Sequence, residues 1–190
     1  MSSFYPIPTK PFPELDLGDF ILREKQESDV ENFFAYYSKP EVNEFILCEI
    51  PQNVIQARQE LLYWRNCFYR GDGIYYAIAE KQNNRMIGSI GLTSHNSYQS
   101  RIELSYDLDS TYWRRGISAK AIAAVLNYGF NVLNVNRIEA SVSVLNIASK
   151  NLLLKCGFTI EGVLRQHRYH RGSFVDVYFF SLLKSEFKHR

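Results

Sequence analysis

Residues 113–119 (WRRGISA) set one glycine between two arginines and a run of small residues, where a strand-like stretch becomes helical. A helix N-terminus presents unpaired backbone N–H groups and a partial positive charge, and small side chains there let a phosphate reach the main chain. Arg114, Arg115, Gly116, Ile117, Ser118 and Ala119 are therefore a candidate pyrophosphate loop. The plainer alternative is a turn at Gly116 flanked by two solvated arginines. Neither GxGxxG nor GxxxxGK[ST] occurs, so a Rossmann fingerprint and a P-loop are both unsupported.

The other reactive side chains form no comparable pattern. His167 and His170 lie close together, but no further His or Cys has ligand spacing, so no metal is expected. Cys156, beside Gly157, is better suited to filling a core than to acting as a covalent nucleophile. The most basic stretch, residues 165–172 (RQHRYHRG), falls on an expected hairpin. It is either a solvated turn or a surface for an acidic or phosphate-bearing partner, with Asp176 available to pair across it.

These residues need elements to position them. A strand ending near Arg23 precedes a helix opened by Ser28, with Glu31 at capping-box spacing and Val30, Phe33, Phe34 and Tyr37 on one face. A second helix starts after Pro51, stops at Gly71, and carries Val54, Ala57, Leu61, Trp64 and Phe68 at helical spacing. Three short runs (IYYAIAE, RMIGSIGL, RIELSYDL) then predict an antiparallel meander. A helix from about Ser118 to Leu133 leads to the strand RIEASVSV, which makes a right-handed βαβ unit with parallel strands. Asn146 caps a short helix ended by Gly157, and two more strands follow.

The 190 residues, 46% hydrophobic and 22% charged, suit one domain over 20–187 behind an extended, proline-bearing lead-in over 1–19. A net charge of +2 is too mild to indicate nucleic acid or an anionic membrane. Three cysteines without a CxxC pair fit a reduced, cytoplasmic setting, and no export or membrane-spanning segment is visible. No feature separates a monomer from a homodimer.

Taken in order, ELSYDLDSTYWRRGISAKAI, NIASKNLLLKCGF and GVLRQHRYHRGSFVDVYFFSLLKSEF resemble the GNAT family of acetyl-CoA-dependent N-acetyltransferases, in particular its ribosomal-protein-alanine (RimJ/RimL-like) branch. The resemblance runs from about Phe20 to Phe187. It implies an α/β (α+β) fold with a mixed, mostly antiparallel sheet, a central parallel strand pair and flanking helices. It also implies acetyl-CoA as co-substrate, without a metal. The family's pyrophosphate loop opens with Gln or Arg and has Gly fourth and Gly or Ala sixth; here Trp113, Gly116 and Ser118 hold those places. Trp is familiar in the branch, whereas Ser118 departs from the pattern while remaining small.

By the same resemblance, a backbone N–H near Ser105 or Tyr106 meets the oxyanion where the parallel strands part. Ser149 would protonate the leaving thiolate, and Asn146 would bind the pantetheine arm or order its helix. Glu103 would be the general base, a contact for the substrate amine, or a partner for Arg101 or another cation. At pH 7 an α-amine is roughly 10–15% neutral and a lysine only about 0.04%, so an α-amine acceptor needs only a weak base. The leading acceptor is a protein N-terminus. The alternatives are a small amine such as a polyamine or aminoglycoside, or a non-catalytic acetyl-CoA-binding module.

Overall fold

A computed structural model describes residues 11–187, so the first ten residues of the expected lead-in lie outside it. The strands are β1 (Leu15–Asp16), β2 (Phe20–Arg23), β3 (Ile74–Glu80), β4 (Met86–Asn96), β5 (Arg101–Leu108), β6 (Arg137–Ser143), β7 (Thr159–His170) and β8 (Ser173–Leu183). The helices are α1 (Val30–Tyr37), α2 (Pro40–Asn43), α3 (Val54–Arg70), α4 (Ile117–Asn127) and α5 (Ile147–Lys155). The strands form one sheet in the order β1-β2-β3-β4-β5-β6-β8-β7. This is the mixed, mostly antiparallel arrangement expected, and β5–β6 is its parallel pair.

Local chemistry explains the helix ends. Asn53 accepts the Gln56 amide at the start of α3, and Gly71 closes that helix at φ +75°. The expected Ser28–Glu31 box does not form. Instead the Gln26 amide donates to Asp29 Oδ2 at 2.8 Å, and a 3₁₀ turn leads into α1. Asp29 takes this place because the Arg23 guanidinium holds both of its oxygens at 2.7 Å, in a pair with side chains 4% and 3% exposed. The helix expected to continue to Leu133 ends its α-helical part at Asn127 and passes into a π turn, Tyr128–Val132. There Gly129 lies directly on the sheet: a Cβ would stand 2.8 Å from Ile138 Cδ1 and 3.0 Å from Leu92 Cδ1.

Apolar residues cover both sheet faces. Ile90, Leu104, Ile122, Val125 and Phe130 belong to the larger cluster, beneath α4; Phe33, Tyr36, Leu61, Ala77 and Met86 form the other, beneath α1 and α3. The parallel pairing between β5 and β6 is short: Arg101, Ile102 and Glu103 face Arg137, Ile138 and Glu139. Thereafter β5 stays with β4 to Leu108 while β6 stays with β8 to Ser143, so the sheet opens between them. At the closed end the buried Glu139 accepts Arg101 at 2.6 Å and Arg137 at 2.7 Å, and Arg137 also reaches Glu161 at 2.9 Å.

Removing one partner of a buried ion pair strands the other charge. Asp29→Ala should therefore cost about 3–5 kcal/mol in urea unfolding. Glu27→Ala, which breaks the exposed pair with Arg58, should cost under about 1 kcal/mol.

Candidate functional site

The loop after β5 is tethered at three points. Asp109 is 3% exposed, accepts the Thr111 amide at 3.1 Å and pairs with Lys39. The Trp113 indole donates to the Leu108 carbonyl at 2.8 Å. Arg115 donates to the Thr111 carbonyl at 2.9 Å and lies over the Tyr112 ring. Arg114 and Gly116 then turn the chain through left-handed backbone, φ +63° and +75°, into α4. No atom lies within 4 Å of where a Gly116 Cβ would stand, and no side chain caps the helix. Ile117, Ser118 and Ala119 occupy its first turn, where intrahelical bonding leaves amides free. The six loop residues singled out in the sequence thus lie together at one helix N-terminus, Arg114, Arg115 and Gly116 exposed, Ser118 and Ala119 half-buried and Ile117 turned into the core; such a terminus is fit for an anion.

On the α4–α5 side of the opening, Asn146 caps α5 by accepting the Ser149 amide at 3.0 Å. The Ser149 hydroxyl meets the Tyr106 hydroxyl at 2.7 Å. Burial pushes the Tyr106 phenol up to about 12, although its bond to Ser149 pulls the other way, so the phenol is protonated at neutral pH. Tyr106 thus brings a side chain to the site as well as its expected backbone amide. Cys156 is half-buried and packs against the larger core.

The other face of β5 carries Glu103, Ser105 and Asp107. Ser105 donates to the Tyr75 hydroxyl at 3.2 Å, and Tyr75 lies against Trp64 with ring centroids 4.7 Å apart. Asp107 accepts the Tyr36 hydroxyl at 2.7 Å and the Ser89 amide at 3.1 Å. Burial raises its carboxyl to about 6 against the opposing pull of Lys25 and these hydrogen bonds. Glu60 lies beside Trp64 and Tyr37, and burial pushes its carboxyl up as well. Sequence reasoning passed over Asp107, although strand alternation in ELSYDL puts it on the face of Glu103.

Arg101 is engaged by Glu139, and the cation facing Glu103 is Arg168 of β7, at 3.6 Å. The basic hairpin is mostly exposed, as a solvated turn would be, but its tip is tied down: His170 contacts the Glu44 carbonyl at 2.9 Å, and Arg171 reaches the Asn43 side chain. Asp176 accepts the Gln166 amide at 2.8 Å instead of pairing with an arginine. Between the hairpin tip and the segment 43–52 runs an open groove of about 780 Å³, lined by Phe34, Cys48, Ile50, Tyr169 and Arg171 among others. Cys48, in the wall of this groove, has its sulfur 3.4 Å from the Tyr37 hydroxyl. Among the described residues, no cluster of His, Cys, Asp and Glu could hold a metal, and no helix is long and apolar enough to cross a membrane.

The sequence pattern of the family described as Acetyltransferase (GNAT) domain matches residues 19–159. The uncharacterized N-acetyltransferase YoaA of Bacillus subtilis (strain 168) is 34% identical over 173 residues, covering 91% of this chain and 98% of YoaA. Two solved structures share the fold. RimJ of Mycobacterium smegmatis, in complex with CoA-disulfide, superposes with a TM-score of 0.82 at 18% identity, covering 91% of this chain and 86% of that one. Spermidine N-acetyltransferase of Vibrio cholerae, in complex with CoA and spermine, gives 0.77 at 21%, covering 88% and 97%. A strand pair that parts beside a helix N-terminus, together with these matches, makes the chain a member of the GNAT acetyltransferase family, which transfers acetyl from acetyl-CoA to an amine.

The cap role of Asn146 has a direct measure. Asn146→Ala should lower stability by about 1 kcal/mol in chemical denaturation, and Asn146→Asp should restore most of it.

Proposed function

We propose that this enzyme acetylates the α-amine of a protein or peptide N-terminus. The observation that carries the reading is the open groove of about 780 Å³ between segment 43–52 and the hairpin tip, with Tyr169 and Arg171 in its wall. A groove open along its length admits a chain that continues past the reacting amine. Structural likeness to a RimJ acetyltransferase supports the same choice.

In this reading the pyrophosphate of acetyl-CoA is held by Arg114, Arg115 and the amides of residues 116–119, with Ser118 presenting a small hydroxyl. The amine lone pair attacks the thioester carbonyl carbon, the N–C bond forms, and the C–S bond breaks with its electrons on sulfur. An amide of β5 near Ser105 or Tyr106 stabilises the oxyanion. Tyr106 donates to Ser149 Oγ, which turns the Ser149 proton towards the departing thiolate. Asn146 orders the first turn of α5 beneath the pantetheine arm. Glu103, paired with Arg168, is a carboxylate contact for the incoming ammonium.

A second reading has its own support. Glu60, Asp107 and Glu103 near one aromatic recess would suit a polyamine, and a spermidine acetyltransferase shares the fold. An acceptor panel decides between the two: kcat/KM for alanine- or serine-initiated peptides should exceed that for spermidine at least tenfold, and the reverse order would overturn the peptide reading.

Two substitutions test the machinery. Ser149→Ala should lower turnover at least tenfold with little change in acetyl-CoA affinity; unchanged turnover removes Ser149 from the chemistry. Gly116→Val should shrink the rise in melting temperature that acetyl-CoA produces, about 2.7 kcal/mol of stabilisation at a hundredfold excess over Kd for the wild type. A full rise in the variant would sink the loop assignment.

A further inference from the structure

We propose that Asp107 is the group that takes the proton from the acceptor amine, held in place by a directed hydrogen-bond chain that begins at Lys25 and runs through Ser89 and Tyr36. The inference rests on the family's chemistry alone and applies to a peptide or a polyamine acceptor alike.

Position separates Asp107 from Glu103. Glu103 occupies the last paired position of β5, opposite Glu139, and faces Arg168. Asp107 lies beyond the point where β6 departs, on the same strand face, half-buried beside Tyr36 and Ser89. The bonding has one polarity. Lys25 can only donate, and its Nζ gives a proton to Ser89 Oγ at 2.6 Å. An ionised Asp107 can only accept, so the Tyr36 hydroxyl at 2.7 Å must donate to Oδ1. Tyr36 Oη and Ser89 Oγ, 3.2 Å apart, are then joined by the serine proton. The Ser89 amide also donates to Oδ1. Both bonds fall on that oxygen, and no described residue bonds Oδ2, which leaves its lone pairs for the amine.

The groups facing Asp107 come from every element packed there: Lys25 after β2, Tyr36 and Tyr37 of α1, Cys48, Glu60 of α3, Tyr75 of β3 and Ser89 of β4. Lys25 is the cation in this set. It is 1% exposed, its Nζ sits 5.1 Å from the Tyr75 ring centroid, and burial lowers its pKa to about 8. A charged lysine is costly to bury, and a carboxylate at the far end of its hydrogen-bond chain accounts for its presence. With its own pKa about 6, Asp107 is ionised at pH 7 yet basic enough to accept a proton from a cationic amine adduct. The incoming ammonium gives one proton to Oδ2, which passes it to solvent and frees the nitrogen lone pair; as nitrogen then bonds to the carbonyl carbon and the C–S bond breaks with its electrons on sulfur, the second N–H proton leaves by the same oxygen.

The test uses the full-length chain with acetyl-CoA and both acceptor classes, an alanine-initiated peptide and spermidine, from pH 5.5 to 9.5. Asp107→Asn should lower kcat at pH 7 at least a hundredfold, keep the thermal shift given by acetyl-CoA, and recover towards high pH, where the amine arrives neutral. A loss under threefold, a loss of equal size at every pH, or a larger kcat loss from Glu103→Gln would overturn the assignment. Should Asp107→Asn not fold, Tyr36→Phe decides: it removes a bond that lowers the Asp107 pKa, so the acid limb of kcat/KM should move to higher pH. An unmoved limb counts against the proposal. A carboxyl-¹³C NMR titration of the acetyl-CoA complex needs no acceptor. An aspartate resonance titrating near pH 6 and moved upward by Tyr36→Phe supports the role, and its absence overturns it.

Discussion

Two parallel strands that pair over three residues and then part set the geometry of everything else in this protein. Chain direction does the rest. β5 runs from the closed end to the open end, so the loop and helix that follow it must begin at the opening, and β6 delivers α5 to the same place. Two helix N-termini, one holding Gly116 and the other Asn146, thereby converge on one gap with their free amides and positive dipole ends. The closed end has to resist the splay. Glu139, itself in the last pair and bound by Arg101 and Arg137 of the first, supplies charge-assisted bonds across the short ladder.

The opening also divides the chemistry. On the α4–α5 side lie two exposed arginines, two helix N-termini and a pair of hydroxyls, groups that suit an anion. On the other side lie the carboxyl groups of Glu103, Asp107 and Glu60 with the rings of Tyr75 and Trp64, groups that suit a cation. Because β5 belongs to both faces, successive residues of ELSYDL serve opposite partners: Tyr106 reaches Ser149 while its neighbours Ser105 and Asp107 reach Tyr75 and Tyr36.

What was legible in the sequence follows the range of the interactions. The meander, the βαβ unit and the stops at Gly71 and Gly157 depend on alternation, helical spacing and left-handed glycines, all local, and they appear in the structure as expected. The start of α1 was misjudged because the choice of Asp29 over Glu31 depends on Arg23, a residue in the preceding strand. The π turn after α4 depends on how closely Gly129 approaches Ile138 and Leu92, which helical periodicity does not report. The contacts of Arg168, His170 and Arg171 with Glu103, Glu44 and Asn43 join residues far apart in the chain, so the hairpin's own sequence does not report them. Asp107 was within reach of strand alternation; its partner Lys25 was not.

The same difference in range separates a loop that a short motif can record from a surface built of side chains far apart in the chain. A pyrophosphate loop works through main-chain amides and needs only a left-handed turn, small residues and a following helix, which a short motif records. Folds sharing under a quarter of their residues can therefore superpose with TM-scores near 0.8. The side chains around Asp107 come from β2's exit, α1, α3, β3 and β4, and the separate groove beside the hairpin is lined by segment 43–52 and the turn between the last two strands. No contiguous motif can encode such a surface. Acceptor choice can then change by substitution on any of these elements while the strand splay and the helix N-termini, and with them the acetyl-transfer chemistry, remain intact.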